Sequence, residues 1–208
     1  MKIRFSLLFL LAAAFASAGT STVNFTTLPV NTAGGYYVGY TGATVDGVAQ
    51  NLLCDDMLHT TGVPSGPFTY NVSTLPDLAD VRFTGLANYE TAAVLLWEFD
   101  NSNQTDAGGY NFALWNIFDP AAGSDGDSAA LLANAQSIVA NGGIFAAYQD
   151  TRVLTPIPGG PENQEFLFLS VSVHRLDDPA VPEPQSYLLF GSGLIVLAMV
   201  SRRSLRRR

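Results

Sequence analysis

The chain changes texture near Tyr89, and that change limits the folds open to it. Upstream, between Ser21 and Tyr70, short aromatic and β-branched runs alternate with turn residues. Residues 36–40 (YYVGY) lie between Gly34-Gly35 and Thr41-Gly42. Val45-Asp46-Gly47-Val48 carries an Asp-Gly hairpin signal, residues 50–57 return as a strand containing Cys54, and residues 68–72 alternate. Downstream, residues 89–99 (YETAAVLLWEF) hold neither glycine nor proline. Residues 110–118 (YNFALWNIF) stop at Asp119-Pro120, and residues 124–140 are rich in alanine and leucine before Gly142-Gly143. Each of these three predicts a helix. Residues 155–163 read as a proline- and glycine-rich loop. Residues 165–173 (EFLFLSVSV) are β again, with Val171 and Val173 on one face. Strands, then two to three helices, then a strand predict an α+β fold in a single β-rich domain. Trp97 and Trp115 are expected in its core.

Both ends stand apart from that domain. Lys2 and Arg4 precede an apolar stretch, residues 5–15, broken only by Ser6 and followed by Ala16-Ser17-Ala18. This is the pattern of a signal peptide over residues 1–18, cut after an A-x-A site, with the mature chain starting near Gly19. An uncleaved anchor is the alternative, and the short run argues against it. At the other end, Val181-Pro182-Glu183-Pro184 leads into an apolar run, residues 187–200, containing Gly191 and Gly193. Arg202, Arg203, Arg206, Arg207 and Arg208 follow. A bilayer span usually needs about 20 apolar residues, so this transmembrane segment would hold weakly. The arginines are expected to stay in the cytoplasm and the Pro-Glu-Pro to lie outside, extended and open to a protease. An ordinary single-pass anchor is the alternative reading.

The three-part order over residues 181–208 resembles a PEP-CTERM sorting signal. The resemblance implies an exosortase-type processing protease acting near Pro182, Glu183 and Pro184. It also implies attachment to the cell membrane through residues 187–200 before cleavage. Afterwards the product would go to the cell surface, or to an extracellular matrix or biofilm, with exopolysaccharide as a partner.

Residues 19–180 remain as the exported domain, long enough for one real core. They carry seventeen carboxylates against three cationic side chains, Arg82, Arg152 and Arg175. A surface this acidic argues against nucleic acid and anionic membrane as partners. Cys54 is the only cysteine, so no internal disulfide forms, and it is a buried thiol, an intermolecular partner or a reactive group. With one cysteine and two separated histidines, His59 and His174, no zinc site and no cofactor are expected.

Three further pieces occur in order: Tyr37-Val38-Gly39-Tyr40 with Leu53-Cys54-Asp55-Asp56, then residues 92–96, then residues 111–119 (NFALWNIFD). They resemble the thioester-type domains of bacterial surface proteins, over residues 36–148. The resemblance implies a bond between Cys54 and the residue at the position of Asn111, and acylation of a partner's amine. The family has glutamine there. Asparagine is one methylene shorter and requires a backbone approach closer by about 1.5 Å. His59 is the one nearby candidate base in the sequence. The bland reading makes Cys54 a small buried hydrophobe.

Other signals are weaker. Asp55-Asp56 would point to opposite faces of a strand. Residues 100–109 (DNSNQTDAGG) resemble part of a calcium loop but lack its central glycine and terminal glutamate. The triplets starting at Asn24, Asn71 and Asn103 fit the N-glycosylation pattern by chance. No serine-hydrolase, zincin or phosphate-loop motif is present. The leading expectation is a non-enzymatic, sorted structural or binding module. The alternatives are a covalent adhesin through Cys54 and Asn111, and a hydrolase with two of Asp55, Asp56, Glu90, Glu98 and Asp100 across a cleft.

Overall fold

The computed structural model describes residues 19–75, 77–143 and 149–170. The strands are β1 (Gly19–Thr27), β2 (Asn31–Ala33), β3 (Tyr36–Val38), β4 (Tyr40–Val45), β5 (Val48–Cys54), β6 (Ser65–Thr74), β7 (Thr151–Pro156) and β8 (Phe166–Leu169). Among the described residues, α1 (Leu86–Asn101), α2 (Ala107–Phe118) and α3 (Ser128–Ala140) fall between β6 and β7. Six strands close into a barrel in the order β1-β4-β5-β8-β7-β6, every pair antiparallel, while β2 and β3 form a separate ribbon. The turn from β4 to β5 is made by Asp46 and Gly47 at φ 50° and 82°, the two positive angles of the tight hairpin that an Asp-Gly pair predicts.

Strand alternation sorts the barrel residues onto two faces. Leu52, Cys54, Leu154, Phe166 and Phe168 turn inward with Val23, Phe25 and Tyr70. Leu53, Val153 and Leu167 turn outward onto the helices. Phe25 binds the interior together, its ring 5.1 Å from Phe166 and 6.0 Å from Tyr70. Helix α2 is buried at every position from 107 to 115, and Asn111 is the one polar side chain in that stretch apart from the Tyr110 hydroxyl and the Trp115 indole N–H. Each fully buried leucine, such as Leu95 or Leu114, contributes about 1.5–3 kcal/mol relative to exposure. Two glycines open the start of α2: a Cβ at Gly108 would lie 2.0 Å from Asp125 Oδ2, and one at Gly109 2.1 Å from Asp106 Oδ2.

The α+β, β-rich expectation holds, and several details change. The run YYVGY is two strands, because Gly39 at φ 100° breaks it between the ribbon and the barrel. The helices are followed by two strands: residues 151–156 form β7, so Thr155 and Pro156 belong to a strand that was expected to be loop. The strand through Cys54 stops there, so Asp55 and Asp56 lie beyond it and strand alternation does not apply; both are buried. Trp115 is in the core at 3 % exposure, but Trp97 is 41 % exposed. It lies one heptad from Glu90, on the outer face of α1. Among the described residues no helix is long and apolar enough to cross a membrane. The signal peptide with Ala16 and Ala18, the residues 171–173, and the whole sorting segment (Pro182, Glu183, Pro184, residues 187–200, Arg202, Arg203, Arg206, Arg207, Arg208) lie outside the described residues.

Candidate functional site

Cys54 ends β5 with its thiol on the inner face, and a pocket of about 220 Å³ opens beside it. Tyr36, Tyr37, Trp115 and Phe166 supply aromatic walls, with Leu28, Pro29, Met57 and Val63. His59, Thr41, Thr60, Thr61 and Gln164 supply polar groups, and no carboxylate or arginine lines it. Tyr36 is 45 % exposed yet held edge-on against Trp115 at 5.7 Å and Phe112 at 6.3 Å. Its ring therefore forms part of the pocket wall through edge contacts with both.

Two hydrogen bonds fasten the Cys54 backbone to α2, and a third ties Asn111 of α2 to Gly39 at the end of the ribbon. The Cys54 carbonyl accepts from Asn111 Nδ2 at 3.2 Å and from Trp115 Nε1 at 3.0 Å, while Asn111 Oδ1 accepts from the Gly39 amide at 2.6 Å. The structure thus brings Cys54 and Asn111 together from 57 residues apart. Both ends of the asparagine amide are engaged. The thiol donates to the Asp56 carbonyl at 3.2 Å. Burial, reinforced by the neighbouring Asp55 carboxyl, pushes its pKa well above the usual thiol range, so it is held as a neutral S–H.

The next two residues build a different site. Asp56 accepts from the Leu58 amide at 3.0 Å, from His59 Nδ1 at 2.9 Å, from the Glu165 amide at 3.3 Å and from the Arg82 guanidinium. Facing two carboxylate oxygens, Nδ1 of His59 carries the proton. Glu165 accepts from the Tyr89 hydroxyl at 2.6 Å, the Arg82 amide at 2.8 Å and the Thr155 hydroxyl. Neither oxygen of Asp55 meets an N–H or hydroxyl donor. The neighbouring charges of Glu165 and Asp56 disfavour a second carboxylate there. Burial first, then the charges of Glu165 and Asp56, hold Asp55 well above the usual carboxylate range. Burial also raises Glu165, but the Thr155, Tyr89 and Arg82 donors around it oppose that rise, so Asp55, which lacks such donors, is the carboxyl held more firmly in its protonated form.

Of the five carboxylates considered for hydrolysis, none lines the Cys54 pocket; Asp100 instead accepts from the Tyr40 hydroxyl at 3.2 Å, and Glu98 from Asn134 at 2.9 Å. Arg82, Tyr89, Thr155 and Glu165 were missed by sequence reasoning. A faint signal existed: Arg82 is the only cation between Arg4 and Arg152, and Glu165 heads an otherwise apolar strand. Among the described residues no cluster of three or more His, Cys, Asp or Glu is arranged to hold a metal ion.

Residues 180–208 match the PEP-CTERM protein-sorting motif. No curated protein and no solved structure matches the chain. The motif, with its tripeptide at Pro182-Glu183-Pro184, makes this an exported protein sorted at the membrane by an exosortase.

Proposed function

We propose that residues 19–180 act as a non-enzymatic binding module of the cell surface or extracellular matrix, delivered there by the tail and freed when the tail is cut. The observation that carries this reading is the pocket beside Cys54. It is aromatic, with Tyr36 packed edge-on against Trp115, and its polar lining holds no carboxylate or arginine. Its shape and chemistry suit an uncharged ligand with one apolar face and several hydroxyls, the description of a sugar unit. A neutral thiol at its base adds soft contact without charge.

The chain's two tryptophans provide the test. Trp115 lines the pocket and Trp97 is exposed on α1. In the full chain carrying Trp97→Phe, occupation of the pocket changes the emission of the remaining tryptophan. Titration with neutral disaccharides is expected to give a saturable change that Tyr37→Ala abolishes. No change with any neutral sugar removes the reading.

A second reading has one specific observation in its favour: Asn111 lies against Cys54. In a thioester, Sγ bonds to the amide carbon of Asn111, the C–Nδ2 bond breaks, and ammonia leaves with the thiol proton. The Gly39 amide already donates to the oxygen that would take up negative charge in that attack. Intact mass decides it: a deficit of about 17 Da and reaction with methylamine support the bond, and a full-mass chain with a titratable thiol removes it. The same spectrum, taken on protein from the native host, tests delivery. A chain running from near Gly19 to about Pro184 is the expected product, and one running to Arg208 replaces release with permanent anchorage.

A further inference from the structure

The exposed apolar residues of the domain are not scattered. Leu28, Val30, Tyr36 and Tyr37 are four of the eight large hydrophobics exposed among the described residues, and all lie on the ribbon or the loop entering it. A fifth, Leu58, sits between pocket residues Met57 and His59. Such a concentration marks a contact surface.

A second pocket adjoins the first. It has a volume of about 360 Å³, and the two share Leu28 and Gly39 as walls. Its apolar lining is Val30, Val38, Tyr40 and Phe99, and its polar groups include the side-chain amides of Asn31, Asn51 and Gln104. Among the described residues those three amides make no hydrogen bond within the chain, so they are free to donate and accept. No charged side chain lines this second pocket.

We propose that the two pockets are consecutive subsites for one uncharged polysaccharide chain, which crosses the shared wall of Leu28 and Gly39. This deepens the binding reading above and rests on it. The charge distribution selects the ligand. Seventeen carboxylates against three arginines repel a polyanion, and the lack of any carboxylate in either pocket gives a polycation nothing to pair with. What remains is a neutral chain whose ring faces pack on tyrosine and whose hydroxyls meet amides and threonines. A peptide adding as a strand is disfavoured, because β2 and β3 are three residues long and present too few free backbone groups.

The experiment titrates the full chain carrying Trp97→Phe with ladders of neutral oligosaccharides (gluco-, manno- and N-acetylglucosamine series, two to six units). An oligouronate ladder and an extended valine-rich peptide serve as comparisons. The expected result is that one neutral series tightens at least about tenfold between two units and four. The added Gln104→Ala and Asn51→Ala changes erase that gain while leaving disaccharide affinity unchanged. Both side chains are exposed, so these variants fold. Disaccharide binding with no gain in length overturns the second subsite and leaves the first pocket's reading standing. Tighter binding of the oligouronate or the peptide overturns the choice of ligand. No binding by any neutral ladder overturns both readings.

Discussion

Cys54 and Asp55 are adjacent in the chain and occupy opposite chemical settings. Cys54 is neutral, faces a pocket and keeps its backbone tied to α2 through Asn111 and Trp115. Asp55 is sealed beside a polar network in which Asp56, Glu165 and Arg82 satisfy one another, while its own carboxyl oxygens meet no donor. The network joins the end of β5, the start of β8, α1 and the segment between β6 and α1, so it ties barrel to helices. The difference teaches a division of labour: in this fold the charged groups hold and the uncharged ones present. A buried charge is expensive unless fully partnered, and once partnered it has nothing left to offer a ligand.

The largest expected break in that contrast is Arg82→Ala. It removes the guanidinium from Asp56, which is 0 % exposed, and leaves a buried carboxylate short of its cation. A loss of about 3–5 kcal/mol is expected, read as a fall in the denaturation midpoint. Arg82→Met, which keeps the volume but not the charge, should not rescue it.

Next comes pH. Asp55 is held above the carboxylate value it has in the unfolded chain, by burial and by Glu165. The folded state therefore keeps a proton that the unfolded state releases. Stability is greatest below the unfolded carboxylate pKa, about 4, and is lost as pH rises toward the folded value. Glu165, also raised by burial, has the same sign. Thermal melts should thus fall between pH 5 and 8, and Asp55→Asn, which keeps an N–H donor toward Glu165, should flatten the fall. A wild-type chain whose stability rises over that range would refute the retained proton.

A smaller effect is expected at Asn111→Ala. It strips the 2.6 Å acceptor from the Gly39 amide and one donor from the Cys54 carbonyl, which still keeps Trp115. About 1–3 kcal/mol is expected, together with faster alkylation of Cys54 as the pocket wall loosens. The smallest effect is at Trp97→Phe, on the exposed face of α1, where a change within about 0.5 kcal/mol is expected in chemical denaturation.

What the sequence made legible was local. The Asp46-Gly47 turn, the three helices and their stops, and the burial of Trp115 each rest on a few neighbouring residues. Closure of the barrel is not local. Leu53 pairs with Leu167 and Cys54 with Phe166 across more than a hundred residues, and no pattern within either strand names its partner. β7 went unseen because TRVLTP runs straight into the proline- and glycine-rich segment, whose turn signals dominate. The polar network was hidden for the same reason: Asp55 and Glu165 meet only after the chain has passed through all three helices. The neighbourhood of Cys54 and Asn111 was reached by family resemblance, not by spacing.

The arrangement of the barrel also sets a clock. Four of its strands precede the helices and two follow them, and the seam between β5 and β8 closes only when residue 169 is in place. A chain interrupted earlier exposes the edges of β5 and β6, the condition under which strands seek foreign partners. The sorting motif begins at residue 180, just beyond that last strand. A polypeptide that carries the address is thus, by order of synthesis, one that already holds every strand needed to seal itself.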